Sequence, residues 1–152
     1  MSEECCAPSS NIMILACSGA SNVGQLSNQA AVELTREGFG RMFCLAGIGA
    51  HLSGFVQSAK DVPVMVAIDG CPVACARTIL EHAEVPIGAY VAITDLGIEK
   101  NKLTDFKLDQ LEAVKCAVKD ACNELRPSSA DYGCSSPGCQ VLHHSEGDVS
   151  TS

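Results

Sequence analysis

Val62-Pro63-Val64-Met65-Val66-Ala67-Ile68-Asp69-Gly70-Cys71-Pro72-Val73-Ala74-Cys75 is the stretch whose reading decides the fold. The apolar run Val62 to Ile68 has the length and composition of a buried strand, and Ala76-Arg77-Thr78-Ile79-Leu80 continues past the cysteines as a helix. Asp69 to Cys75 is then a strand-to-helix corner carrying two thiols. With a helix starting near Pro72, Cys71 lies at its positive end and Cys75 about one turn further on, so both face the same point in space. A helix N-terminus favours anions, thiolates included, which suits sulfur ligands or a reactive sulfur.

The same unit recurs upstream. Asn11 to Cys17 is an apolar strand candidate ending at a cysteine; Ser18 to Asn22 supplies a loop and a cap, and Val23 to Glu37 carries a helical pattern stopped by Gly38. Arg41-Met42-Phe43-Cys44-Leu45 is a second strand with a cysteine near its end. Ala46 to Ala50 follows as a glycine-rich turn into a short helix around His51 to Lys60. Cys17, Cys44 and Cys71 are evenly spaced, 71 minus 44 and 44 minus 17 being the same. One strand, one helix and two short loops take up about that length, so each cysteine occupies the same address, the C-terminal end of a strand. In a parallel sheet those ends share one edge, where such folds place their sites.

Downstream, Ile87 to Thr94 reads as a fourth strand without a cysteine. Asp109 and Glu112 resemble a capping box before a helix whose apolar stripe is Leu111, Val114, Val118, Ala121, Cys122 and Leu125. Cys122 is a core residue on that reading, and Cys116 lies off the stripe. The chain therefore divides into a flexible N-terminal arm (1–10, with Cys5 and Cys6), a metal-binding α/β domain (11–126) and a flexible C-terminal tail (127–152). The expected fold is a single-domain, Rossmann-like or flavodoxin-like, mainly parallel four-stranded sheet with flanking helices. Strand orders 2-1-3-4 and 3-2-1-4 both keep the three cysteine-bearing strands together. In the tail, Cys134 and Cys139 with His143 and His144 have the side chains of a second metal site but loose spacing, so incidental tail residues are the better reading.

Composition narrows the function. The chain has 152 residues, 47% hydrophobic and 18% charged, with a net charge of -8, which suits one compact domain and excludes a basic nucleic-acid or anionic-membrane binder. Phe and Tyr together make up only 4% and Trp is absent, so base-stacking platforms have little to work with. The Ile12–Ala16 run is too short to span a bilayer, and Glu3 and Glu4 stand where a signal peptide would carry basic residues. The expected compartment is the cytoplasm, where ten cysteines argue for metal binding or thiol chemistry over disulfides.

Cys17, Cys44, Cys71 and Cys75 make a complete tetrahedral thiolate set, and zinc is the ion such a set suits. The bland reading, small residues buried at strand ends, would serve for one cysteine. It serves poorly for three in register with a fourth one helical turn on. Other sites fail on missing residues. A low-molecular-weight phosphatase loop needs an arginine that Ser18 to Gly24 lacks; a dinucleotide turn starting at Gly47 and Gly49 would need glycine at Leu52; thioredoxin chemistry places two residues between its thiols, not Pro72-Val73-Ala74. His51 and His82 read as surface or packing residues, and Asp69 as an acceptor for loop amides or an anchor behind a metal ligand.

Asp69-Gly70-Cys71-Pro72 with Cys75, together with Cys17 after the first strand and Cys44-Leu45-Ala46-Gly47 after the second, resembles the DGC domain family of zinc-binding proteins over Asn11 to Leu125. The resemblance implies chelation by Cys17, Cys44, Cys71 and Cys75. A closed four-thiolate site points to a structural or metal-handling role, with a protein partner for metal or sulfur exchange. The alternative is a redox or sulfur-transfer enzyme, or an iron–sulfur cluster protein, using the same cysteines with Cys71 as the activated thiolate.

Overall fold

The computed structural model describes residues 11–125. The N-terminal arm, and the tail with Cys134, Cys139, His143 and His144, lie outside the described residues. Four strands, β1 (Ile12–Ala16), β2 (Arg41–Met42), β3 (Val64–Asp69) and β4 (Ala89–Ala92), form one sheet of order β2-β1-β3-β4 with every pairing parallel. This is an α/β fold, and its order is one of the two expected. The Rossmann-like label fits loosely, since the sheet has only four strands and β2 only two residues.

Strand alternation divides the core into two layers. Ile12, Ile14 and Ala16 of β1 and Val66 and Ile68 of β3 face α1 (Asn22–Arg36) and α5 (Leu108–Asn123). Met13, Leu15, Met65 and Ala67 face the opposite way, against α2 (Leu45–Gly49), α3 (Ser53–Asp61) and α4 (Cys75–His82). Because β1 and β3 are covered on both faces, they read as continuous apolar runs rather than alternating ones. Ile14 and Leu15 are fully buried, each worth roughly 1.5–3 kcal/mol of transfer free energy.

Several boundaries differ from the sequence reading, each for a local reason. β2 is short because Phe43 N–H still reaches Ile14 O (3.0 Å), after which Cys44 turns the chain and becomes the cap residue of α2. The expected glycine-rich turn at 46–50 is that helix. A Cβ on Gly47 would collide with the Phe55 ring, so Gly47 serves the packing of α2 on α3. The expected strand Ile87–Thr94 shortens to Ala89–Ala92 and passes into a 3-10 helix, Ile93–Leu96, closed by Gly97 at φ 80°. At the start of α5 the cap is Lys107, whose N–H donates to Gln110 Oε1 (3.0 Å); Glu112 instead pairs with Lys115. Lys115 is buried on the helix face that also carries Leu111, Val114, Val118 and Cys122, neutralised by Glu112 and by Glu37 at the end of α1. Among the described residues, no helix is long and apolar enough to cross a membrane.

Candidate functional site

The order β2-β1-β3-β4 makes β1 and β3 neighbours whose connections leave in opposite directions, and the crevice beyond their C-terminal ends is where open α/β sheets bind ligands. A cavity of about 460 Å³ opens there. It is lined by the β1–α1 loop, by Leu45 and Ala46 of α2, and by Gly70, Cys71, Val73 and Cys75 around the β3–α4 corner.

The motif residues at that corner have separable physical jobs. Asp69, the last residue of β3, is fully buried, and its carboxylate accepts the amides of Ala76 (2.8 Å to Oδ1) and Arg77 (3.0 Å to Oδ2). These are orphan donors in the first turn of α4. The residue preceding α4, Ala74, has no side chain able to cap them and adopts φ 55°, ψ 46°. Asp69 thus caps a helix from seven residues away. Gly70 permits close approach: a Cβ there would stand 2.9 Å from Val23 C and O and 3.0 Å from Gly24 N, all main-chain atoms of α1. The left-handed Ala74 also delays the helix. α4 begins at Cys75, not near Pro72, so Cys75 is its first residue and Cys71 sits on the turn before it, where Cys71 O accepts from Ala74 N–H (3.0 Å).

Three of the four sequence-predicted thiols, Cys17, Cys71 and Cys75, line the crevice, and none of the four is in a disulfide. Cys44 stands exposed at the neighbouring corner, immediately before the lining residues Leu45 and Ala46. Among the described residues, no three Cys, His, Asp or Glu side chains stand close enough together to hold a metal ion without movement. His51 and His82 do not line the cavity.

Cys17 is the most constrained thiol. Its Sγ accepts from Gly70 N–H (3.1 Å) and lies 3.3 Å from Ser27 Oγ. The Ser27 hydroxyl also lies 2.6 Å from Cys17 O and 2.8 Å from Gly24 O, so its hydrogen can turn to either carbonyl or to the sulfur. Burial pushes the Cys17 thiol above its usual range, with the charges of Asp69 and Cys75 adding to the rise; the Ser27 and Gly70 hydrogen bonds oppose it. A bound cation would reverse that balance. Below the corner, burial and then the Asp69 charge push the Tyr90 phenol up to about 12.

One site residue is invisible to sequence reasoning. Lys100, on the segment between the 3-10 helix and α5, reaches the crevice and donates from Nζ to Cys71 Sγ (3.3 Å). In sequence it belongs to a polar loop, Glu99-Lys100-Asn101-Lys102, with no periodicity to single it out.

The DGC domain family profile matches residues 13–118, which spans all four cysteines and Lys100. The anaerobic and virulence modulator AnvM of Pseudomonas aeruginosa is 33% identical over 100 residues, covering 66% of this chain and 76% of AnvM. No solved structure matches the chain. With the Asp-Gly-Cys corner shaping the crevice and the match extending through both flanking sheet strands, this cysteine-rich chain belongs to the DGC domain family.

Proposed function

We propose that the crevice binds a thiophilic metal ion through Cys17, Cys71 and Cys75, with Cys44 swinging in from the adjacent corner as the fourth ligand, and that the ion is zinc. The observation that carries this reading is the convergence of three thiols, from two strand ends and one helix start, on a single cavity at the sheet's switch point. The donor set fits the ion: thiolates suit zinc, and four of them complete its tetrahedron at about 2.3 Å each. Since the sulfurs are not gathered to that spacing, binding draws the Cys44 corner and the Cys75 side chain inward. The exposed positions of Cys44 and Cys75 leave them room to move.

When bound, the ion supplies a crosslink between the β1, β2 and β3 corners. Four thiolates leave it no open position for water, which favours a structural, metal-handling or regulatory role over hydrolysis. The description of AnvM as a modulator is in keeping with regulation through a protein partner. Element analysis of freshly isolated protein tests the reading. About one zinc per chain is expected, lost in the Cys71→Ser/Cys75→Ser double variant; full metal content in that variant would overturn it.

A second reading has its own support. Lys100 Nζ stands 3.3 Å from Cys71 Sγ, which sets a cation beside the sulfur that a redox or sulfur-transfer reaction would use. Metal-free protein whose Cys71 is alkylated much faster than Cys44 would establish it in place of the zinc site. Brown protein containing iron after anaerobic purification would establish a cluster on the same cysteines.

A further inference from the structure

The geometry points to Lys100 as a positioning and charge-balancing residue of the metal centre, held over the crevice by a clamp on the side chain of Asn22. This rests on the metal-binding reading above. Four thiolates around a divalent cation leave an excess of negative charge, and a partly enclosed site retains such a cluster best when a cation and N–H donors face the sulfurs. Lys100 is the charged side chain among the described residues that line the cavity, and its contact is with a predicted ligand sulfur.

Its placement is built rather than incidental. Asn22, the first residue of α1, is buried, and its carboxamide uses both ends on the segment that carries Lys100. Nδ2 donates to Glu99 O (2.8 Å), and Oδ1 accepts from Asn101 N–H (2.7 Å). The two bonds fall on the residues immediately before and after Lys100. The main chain adds a third, from Asn22 N–H to Asn101 O (3.4 Å). Two of the three bonds are short and one is long, so the side chain of Asn22 fixes the strap more firmly than the main chain does. The lysine stem crosses to Cys71 from this fixed base, and its head, exposed to solvent, supplies charge without being buried unpaired.

Gly70 N–H contributes in the same sense at the other sulfur, donating to Cys17 Sγ. The centre thus has one main-chain donor on Cys17, fixed by the β3 corner, and one side-chain cation on Cys71, fixed by the strap. Of the two, the cation is the one that a substitution can remove without touching the sheet.

The test is zinc affinity, measured by competition with a chromophoric chelator at low and high salt, for the full chain and for Lys100→Gln, Lys100→Arg and Asn22→Ala. Lys100→Gln should bind zinc roughly tenfold more weakly, the lower end of what losing an outer partner of a ligand costs. It should also lose part of the salt dependence, because an exposed cation is screened. Lys100→Arg should restore most of the affinity. Asn22→Ala should weaken binding in the native background but not further in Lys100→Gln, since the two act through one contact. Equal affinity and salt response for native protein and Lys100→Gln would overturn the inference, as would an arginine variant as weak as the glutamine one. Native protein that binds no zinc would overturn the metal reading itself, whereas zinc-binding protein indifferent to Lys100 would overturn only this inference.

Discussion

Replacing Asp69 by alanine should weaken the domain by about 3 kcal/mol, because that carboxylate starts α4. The side chain is fully buried and accepts two amides, at 2.8 and 3.0 Å, on an eight-residue helix whose own cap position holds an alanine. Hydrogen bonds to a charged partner are worth roughly 1.5–3 kcal/mol each. Their sum, up to about 6 kcal/mol, overstates the effect, since removing the carboxylate also removes the cost of burying it. A net loss near 3 kcal/mol is a large share of the 5–15 kcal/mol that holds a typical domain. It would lower the melting temperature of a chain this size by roughly 10 °C.

Urea denaturation followed by far-ultraviolet circular dichroism, at neutral pH, measures the change. Asp69→Asn should fall between the native protein and the alanine variant: its oxygen still accepts one amide, while its NH2 group is turned against the other. A second signature separates capping from a general loss of packing. The Asp69 charge helps to push the Tyr90 phenol up to about 12, so in Asp69→Asn that phenol should ionise at lower pH, though burial, the larger cause, still holds it above its usual value. An Asp69→Ala midpoint within about 1 kcal/mol of the native one, less than a single charged hydrogen bond is worth, would refute the capping argument.

Two further perturbations test the frame around the site. Gly70→Ala should cost about 2 kcal/mol, since the added methyl meets main-chain atoms of α1 at 2.9–3.0 Å and no flexible side chain can yield; a loss under about 0.5 kcal/mol would mean that the β3 corner moves freely against α1. Glu37 should make stability fall in acid. Burial alone would raise its carboxyl, but hydrogen bonds from Lys115 and Lys119 outweigh that and hold it below the usual carboxylate range. A depressed folded value means that the contribution is present above the ordinary glutamate value and is lost as pH falls through the folded one. Glu37→Gln should therefore be less stable than the native protein by about 1 kcal/mol at neutral pH, with the gap narrowing as the pH falls below the ordinary glutamate value. A gap that does not narrow as the pH falls below the ordinary glutamate value would assign the effect to shape rather than charge.

The layered sheet was legible because β1 and β3 are apolar along their whole length and the helices between them carry clear stripes. The crevice was legible for a related reason: strand ends in a parallel sheet share an edge, so Cys17 and Cys71 belong to the same edge, and the observed strand order makes them neighbours. Where elements stop was harder to read. No residue pattern announces that Ala74 takes a left-handed conformation, yet that single angle moves the start of α4 to Cys75 and leaves Cys71 on a turn. Cys44 shares the strand-end address but does not line the crevice, since β2 is an edge strand that ends after two residues and the chain then passes into α2 with Cys44 exposed at the corner. Asp69 was expected to accept loop amides, and the amides it accepts proved to be those of the helix itself. Lys115, on the buried face of α5, broke the apolar stripe because its charge is met by Glu37 and Glu112. Lys100 could not have been found by pattern at all: its position depends on Asn22, 77 and 79 residues away from the two groups it grips, and that kind of pairing leaves no trace in periodicity.

The all-parallel sheet also fixes how this domain can be attached to something else. β1 begins on the edge away from the crevice, and at the other end of the described chain Leu125 packs beside the position a Gly88 side chain would take, next to the start of β4 on that same far edge. A tag, a tether or a fused domain joined through residue 11 or residue 125 would therefore anchor the molecule by its back and present the cysteine crevice outward. Protein immobilised through a coupling group placed at residue 11 or residue 125 should accordingly keep the crevice thiols open to reagents and partners arriving from solution.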